Sequence, residues 1–360
     1  MQNYYQQMPP TGVPPYQGYY PMPPQLTPKQ QEHRDLRKTA NGLGFFVMTY
    51  FLVMQVVAII VSVALRLAGV ITEENQNSIS YLLQIIAAVL SSLVAVFFYR
   101  ILSRKRLSDN LTKSHVPLSL LAPFVCLGMG ASMIANQMAI LFDQNISIFQ
   151  LKNSVDMSFE SKTAPEILLC IVAVAIVPAF AEELAFRGVF MNILRPWGDA
   201  VAIVVSSVMF GAMHGNTTQI IFAFTLGLIF GFVDCKTNSI VPSVVLHFVN
   251  NFYAIITDII QQNEVFDSGT VTAISLGIII LFLILGVLSY VYLAKRDSGV
   301  FKVTDKPADG TASLLTLKEK FVACFTTPGV IVSLSLFIFE MLMNLIPQDE
   351  LLQALENAVG

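Results

Sequence analysis

The chain has 360 residues, a formal net charge of −3, 54% hydrophobic and only 12% charged residues, and a mean hydropathy of +0.65. A soluble domain of this length could not hide so much apolar surface in one core, so the excess must face lipid. A net charge so close to neutral, without basic blocks, argues against a nucleic-acid partner. The cysteines form no C-x-x-C pair and are interpreted as packing residues: Cys126, Cys170, Cys235 and Cys324.

The first 38 residues are rich in proline, tyrosine and glutamine and contain no apolar run. They are therefore predicted to form a disordered cytoplasmic tail rather than a cleavable signal peptide. Two interpretations of this tail stay open: a tether without a specific partner, and a docking strip in the polyproline II form.

From residue 45 onward, long apolar runs alternate with short polar breaks. Each run approaches the roughly 20 residues that a helix needs to cross hydrocarbon. The predicted fold is thus an all-α, polytopic membrane bundle of 8–9 transmembrane helices. The candidate spans are Phe45–Leu67, Ile79–Phe98, Leu118–Phe142, Ile167–Phe190, Ala200–His214, Gln219–Val233, Ile240–Ile260, Ala273–Ala294 and Gly329–Ile346.

Basic residues gather at alternate ends of these spans, and such residues remain in the cytoplasm. The breaks after residue 70 and after residue 260 contain neither Lys nor Arg. The N-terminus is therefore predicted to be cytoplasmic. The C-terminus is outside if the ninth span crosses, and cytoplasmic if that span is re-entrant. The basic residues are Lys29, Arg34, Arg37, Lys38, Arg100, Arg104, Lys105, Arg106, Arg195, Lys236, Lys295 and Arg296.

A few polar side chains lie inside otherwise apolar segments, where an ionisable group is a functional-site hypothesis by default. Glu182 and His214 lie about equally far from the turn near residue 198, with Glu182 before the turn and His214 after it. An antiparallel hairpin rising about 1.5 Å per residue would place the two side chains level. His247 and Asn251 are at i and i+4, on one face of the seventh span.

The adjacent carboxylates should have different tasks, since neighbouring helical residues point about 100° apart. Glu183 and Arg187 have the i, i+4 spacing of an ion pair, which leaves Glu182 free to face a cavity. A carboxylate beside the His214 imidazole could deprotonate a water molecule. The same atom types could instead bind zinc and activate a metal-bound water, and the residues alone leave both versions open.

The three polar segments resemble the signature of the CPBP intramembrane proteases, which include the type II CAAX prenyl endopeptidases and the bacteriocin-processing, or Abi, proteins. The resemblance covers about residues 167–260. The matching positions are Glu182, Glu183 and Arg187 in E-E-x-x-x-R, Phe210 and His214 in F-x-x-x-H, and His247 and Asn251 in H-x-x-x-N.

This resemblance implies hydrolysis of a peptide bond in a membrane-associated substrate, such as a prenylated or leader-bearing peptide. It implies catalytic roles for Glu182 and His214, which activate water, and for His247 and Asn251, which donate to the oxyanion. Supporting roles fall to Glu183, Arg187 and Phe210. Zinc is the implied cofactor, with Glu182, His214 and His247 as its candidate ligands.

The resemblance also divides the chain. Transmembrane helices at residues 39–163 precede a four-helix catalytic core at residues 164–262, and residues 263–360 add further spans with an interfacial segment. The expected partners are the lipid bilayer and a peptide or protein substrate, and the expected location is the plasma membrane of a bacterium.

Two other functions stay in view: a proton- or ion-coupled transporter, and a non-catalytic membrane scaffold. The polar elements do not recur in the other half of the chain, which weakens the transporter hypothesis. Two acidic residues fall outside the signature. Asp234 is interpreted as an interfacial carboxylate beside Lys236, which snorkels, and Glu340 in the ninth span receives no role.

Overall fold

A computed structural model of the protein describes residues 26–103, 115–146, 161, 163–262, 266–303 and 313–345. The regular elements in these ranges are helical, apart from isolated turns, and eight of the helices are long and apolar enough to cross a membrane. The predicted all-α, polytopic membrane bundle is therefore confirmed.

The helices are numbered here in chain order. They are α1 (Pro28–Leu67), α2 (Gln76–Ser103), α3 (Leu118–Ile146), α4 (Ala164–Trp197, with irregular turns), α5 (Asp199–Ala212), α6 (Thr217–Thr237), α7 (Val241–Gln262), α8 (Ser268–Arg296), α9 (Leu317–Phe325) and α10 (Pro328–Leu345).

The first helix begins earlier than the sequence suggested. Residues 28–38 were placed in the disordered tail, but they form the first turns of α1. Thr27 and Gln30 make a reciprocal capping box, with distances of 2.9 and 3.3 Å between side-chain oxygens and backbone nitrogens. Pro28 occupies the first helical turn, where its missing N–H has no consequence. Residues 1–25 of the predicted tail lie outside the described part of the chain.

Helix α5 is the other departure, because the fifth predicted span is too short to cross. Its 14 residues extend about 21 Å, against roughly 30 Å of hydrocarbon. Gly215, at φ +60°, and Asn216, whose side chain caps α6, end α5 and start α6 almost at once. Arg195 Nη1 donates to Asn238 Oδ1 at 2.9 Å, so α5 starts and α6 ends at the same end of the bundle.

Glycines allow α5 and α6 to pack closely. A Cβ atom on Gly211 would lie 2.8 Å from the Phe224 Cβ, and one on Gly227 would lie 2.9 Å from the Ser207 Cβ. Both distances are shorter than van der Waals contact. Small residues at this interface therefore let the two helices approach closely.

The first and last described helices touch backbone to backbone. A Cβ atom on Gly44 would lie 2.2 Å from the carbonyl carbon of Gly329, so neither position has room for a side chain. Gly329 N donates to Asn41 Oδ1 at 2.8 Å, and Ser333 Oγ donates to the Gly44 carbonyl at 2.8 Å. These contacts fix the register of α10 against α1.

Candidate active site

Two stretches of α4 have π-helical hydrogen bonding, residues 171–176 and 184–191, and π-helical turns are frequent at functional sites. Pro178 lies between them and has no N–H, so the Val174 carbonyl cannot accept the usual α-helical bond from it. The Asn251 side chain on α7 uses this carbonyl instead, with its Nδ2 donating at 2.9 Å. The proline thus prepares an acceptor that orients Asn251.

Glu183 is fully buried and joins two helices. Its Oε1 accepts from Arg187 Nη1 at 3.2 Å and lies 2.8 Å from His247 Nδ1 on α7. Its Oε2 is 3.2 Å from Arg187 Nε, a charge contact that lacks the alignment of a hydrogen bond. The ion pair expected from the i, i+4 spacing is present. The contact with His247 was not predicted, because it joins residues far apart in the chain.

Two phenylalanines enclose this charged group. The Arg187 guanidinium carbon lies 4.5 Å from the ring centre of Phe210 and 5.0 Å from that of Phe230. The His247 ring stacks on Phe230 with centroids 5.4 Å apart. Phe210 therefore packs against the charged group, and so does Phe230, which the motifs do not include. A cation over two aromatic faces in a dry site is held by the rings as well as by its carboxylate.

His214 is half-buried at the end of α5, and its orientation is set by its own helix. The Nδ1 atom lies 2.8 Å from the Phe210 carbonyl oxygen. A carbonyl only accepts, so Nδ1 carries the proton and donates, and Nε2 of the neutral ring keeps a free lone pair. The imidazole can therefore accept a hydrogen bond from a water molecule through Nε2.

Glu182 is also half-buried, and its carboxylate interacts electrostatically with His214 and with the Tyr50 hydroxyl of α1. Asn251 is the third half-buried member of the predicted set. Glu183, Arg187 and His247 are instead almost completely buried. The predicted set therefore divides into three partly accessible side chains, Glu182, His214 and Asn251, and a dry layer of three buried ones.

Unpaired polar atoms concentrate around these side chains. Among the described residues, the buried side-chain atoms without a hydrogen-bond partner are Tyr50 Oη, Glu183 Oε2, Arg187 Nε and Glu340 Oε2. Tyr50 packs its ring edge-on against Phe186, one helical turn after Glu182, with centroids 6.2 Å apart. An unpaired buried polar atom is expensive, so their gathering at one place indicates a polar site rather than ordinary packing.

The structure corrects the interpretation of Asp234. This residue is only 2% exposed and is not an interfacial carboxylate beside Lys236. Its Oδ2 accepts from Ser243 Oγ at 2.7 Å and its Oδ1 from Ser243 N at 3.3 Å, so it caps the start of α7. Lys236 Nζ donates to the Lys302 carbonyl at 2.6 Å instead. Asp234 therefore helps to place the helix that carries His247 and Asn251.

The candidate zinc ligands do not form a metal-binding group in this conformation. Across the described ranges, no three His, Cys, Asp or Glu side chains come close enough together to hold a metal ion. Glu182, His214 and His247 have the right donor types, but His247 Nδ1 is already engaged by Glu183. Zinc at this site stays a prediction.

Comparison with known proteins bears on the same region. Residues 164–253 match the family described as "Type II CAAX prenyl endopeptidase Rce1-like". The Rce1-like segment runs from the first turn of α4 to the middle of α7, so it contains every residue of the three polar motifs. This match supports a CAAX-type intramembrane protease activity in general.

The similarity to a curated relative extends over less than half of that relative's length. The chain is 26% identical over 95 residues to an "Uncharacterized 24.3 kDa protein" of Escherichia coli, an alignment that covers 25% of this chain and 44% of that protein. No solved structure matches the chain. The helices outside the Rce1-like segment, α1 to α3 and α8 to α10, are therefore interpreted from the structure alone.

Proposed function

We propose that the protein is an intramembrane endopeptidase that hydrolyses a peptide bond in a membrane-associated substrate. The observation that carries this proposal is that Glu182 and His214, both half-buried, lie within electrostatic range of each other and beside the buried cluster of Glu183, Arg187 and His247. A carboxylate and an imidazole with a free nitrogen are the groups that hold and deprotonate a water molecule.

In the first step, Glu182 takes a proton from a water molecule that also donates a hydrogen bond to His214 Nε2. The water oxygen attacks the carbonyl carbon of the scissile bond, and the carbonyl oxygen becomes an oxyanion. The C–N bond then breaks, and the proton held by Glu182 passes to the leaving nitrogen. One water is consumed, Glu182 is again a carboxylate, and the products are a carboxylic acid and an amine, which exchange a proton to give a carboxylate and an ammonium group.

The oxyanion is stabilised by donors from α7. Asn251 uses one Nδ2 hydrogen on the Val174 carbonyl, which leaves a second hydrogen for the oxyanion. His247 donates Nδ1–H to the Glu183 carboxylate and, in its doubly protonated form, presents Nε2–H as a second donor. Fixed donors of this kind are often the largest single contribution to hydrolysis.

Glu183 and Arg187 support the reaction without touching the substrate. The carboxylate is shared by the guanidinium and the His247 ring, so it fixes both. The Phe210 and Phe230 rings exclude water from this layer and thereby strengthen its electrostatic interactions. The supporting group thus holds the oxyanion donors of α7 against α4.

The proposed substrate class is supported by the resemblance and by the match of residues 164–253 to the Rce1-like family. A peptide tied to the bilayer, by a prenyl group or by an apolar leader, would reach a site that lies among membrane-spanning helices. The expected partners are therefore lipid and a membrane-associated peptide.

Comparative membrane proteomics tests the function. Cells carrying the intact protein should contain a processed peptide that is lost with Glu182→Gln and with His214→Ala, while both variants still accumulate in the membrane. Glu73→Gln, in the exposed loop after α1, is the matched control and should leave processing intact. Processing that survives in Glu182→Gln would reject the proposed water activator.

Metal analysis separates the two versions of the chemistry. Purified protein with zinc in a 1:1 ratio, lost in a His214→Ala variant, would add a zinc-bound water to the proposal. Full hydrolysis after exhaustive chelation would support activation of water by Glu182 and His214 alone.

A further inference from the structure

A carboxylate from outside the Rce1-like segment lies against the candidate site. Glu340, on α10, is half-buried in an apolar helix that is long enough to span a membrane. Its Oε1 accepts from Gln55 Nε2 of α1 at 2.7 Å, and its Oε2 is buried without a hydrogen-bond partner among the described residues. An ionisable group in such a helix is expensive and needs a reason for its position.

The position of Glu340 is defined by Gly215, which directly follows His214. A Cβ atom built on Gly215 would lie 2.6 Å from the Glu340 carboxyl carbon, so the carboxyl group packs on the bare glycine. Gly215 has φ +60°, a conformation that glycine adopts without strain. The carboxylate of α10 thus contacts the turn that ends α5.

Asn344 makes a second contact with the same residue. It follows Glu340 by one helical turn on the same face of α10, and its Nδ2 donates to the Gly215 carbonyl at 2.8 Å. The carbonyl of a residue in a helix-ending turn would otherwise lack an intrahelical donor. Two side chains of one helix face therefore hold a single residue of the catalytic turn.

The register of α10 makes these contacts precise. Gly44 and Gly329 meet backbone to backbone near the start of α10, and Gln55 of α1 binds Glu340 about three turns further along. Because α1 contacts α10 at both points, Glu340 cannot slide along the turn. Tyr50 lies on α1 between Gly44 and Gln55, within electrostatic range of the Glu182 carboxylate.

We propose that Glu340 and Asn344 are positioning residues for His214, contributed by a helix outside the segment that carries the catalytic motifs. They hold the His214–Gly215 turn at the level of Glu182, and Gln55 holds Glu340. This inference rests on the proposed endopeptidase function, since its effect on turnover requires His214 to hold the attacking water.

Asn344→Leu tests the proposal with a side chain of similar size that cannot donate. With the processed peptide identified by membrane proteomics as the substrate, the loss of one hydrogen bond to the catalytic turn should lower kcat by about three- to tenfold with little change in KM, because the peptide is still bound. Asn344→Gln, which keeps a donor, should restore part of the loss. The control is Ser335→Ala, at an exposed position of the same helix, which should match the unmodified protein. An unchanged kcat in Asn344→Leu would overturn the positioning role.

A double-mutant cycle tests the Glu340 contact without relying on turnover. Gly215→Ala should lower the thermal unfolding temperature in detergent, because its methyl group meets the carboxyl group. Glu340→Ala removes the carboxyl group that the methyl group would meet. The double variant should therefore have a higher unfolding temperature than the sum of the two single changes predicts. The residual loss reflects the strain of alanine at positive φ. Strictly additive changes would show that the two residues do not touch and would overturn the inference.

The two proposals can fail separately. If Glu182→Gln still cleaves, the endopeptidase mechanism is wrong, whatever the cycle shows. If Glu182→Gln is inactive but Asn344→Leu is fully active and the cycle is additive, only the positioning role fails.

Discussion

Two neighbouring glutamates have opposite surroundings, and the difference assigns their tasks. Glu182 is half-exposed beside His214, while Glu183 is enclosed by Arg187 and His247. Consecutive helical side chains point about 100° apart, so one faces the accessible side and the other faces the bundle. The same substitution at the two positions should therefore give different outcomes.

Glu182→Gln should abolish hydrolysis and leave the free energy of unfolding nearly unchanged, because a half-exposed amide is tolerated. Glu183→Gln should lower that free energy by about 3–5 kcal/mol, since it leaves the Arg187 guanidinium buried without its counter-charge. Chemical or thermal unfolding in detergent, followed by circular dichroism, measures both. Equal stability in the two variants would contradict the assignment of Glu183 to the supporting layer.

Spacing within the chain predicted only part of the site. The Glu183–Arg187 pair follows from i, i+4 geometry, and the juxtaposition of Glu182 with His214 from counting residues around the turn. The sequence gives no sign of Tyr50 and Phe230, because each comes from a different helix and an aromatic residue in an apolar run gives no local signal. Glu340 stands out as an acidic residue in an apolar span, but the spacing of the motifs assigns it no role. Pro178 is the signal that was overlooked: a proline within a span frees a carbonyl, here that of Val174.

At the scale of single elements, irregular backbone positions the side chains of the candidate site. Helix α4 combines two π-helical stretches with a proline, and α5 stops short of a full crossing. The sequence predicted the existence of all these helices but counted α5 as a span, because hydropathy measures apolar length and Gly215 ends the helix before that length is reached. The start of α1 is set by the cap at Thr27, and the predicted start of the first span lies well after it.

Pro178→Ala should slow hydrolysis although it removes a helix breaker. The new N–H at position 178 can donate to the Val174 carbonyl, so Asn251 loses the exclusive acceptor that orients it. We expect kcat to fall by about tenfold with helix content kept or raised. Pro123→Ala, at the other internal proline within α3, is the control and should retain full activity. Equal rates in both variants would show that the freed carbonyl has no catalytic consequence.

For the whole molecule, polar contacts connect the helix ends that the sequence assigned to the cytoplasm. Arg37 donates to the Thr326 carbonyl at 3.2 Å, so α1 and α10 start at the same end. Arg296 donates to Ser119 Oγ at 3.3 Å and thereby connects the end of α8 with the start of α3. These contacts agree with the alternation of basic loops, and the cytoplasmic N-terminus remains a prediction.

Cysteine labelling tests that orientation. In a cysteine-free background, Glu73→Cys in the loop after α1 should react with a membrane-impermeant maleimide in intact cells. Ser298→Cys, just after α8, should react only after the cells are opened. Both positions are exposed, so accessibility to solvent on the protein itself is matched. Reversed labelling would place the basic loops outside the cell and overturn the proposed topology.

Gly44 and Gly329 form a close helix crossing that is remote from the reacting groups. A Cβ atom at either glycine would lie 2.2 Å from backbone of the other helix, so a methyl group there would force α1 and α10 apart. Damage introduced at this crossing would thus reach the His214 turn as a change in rate. Genetic screens for impaired cleavage should therefore recover substitutions at Gly44 and Gly329, although both residues lie outside the three motifs.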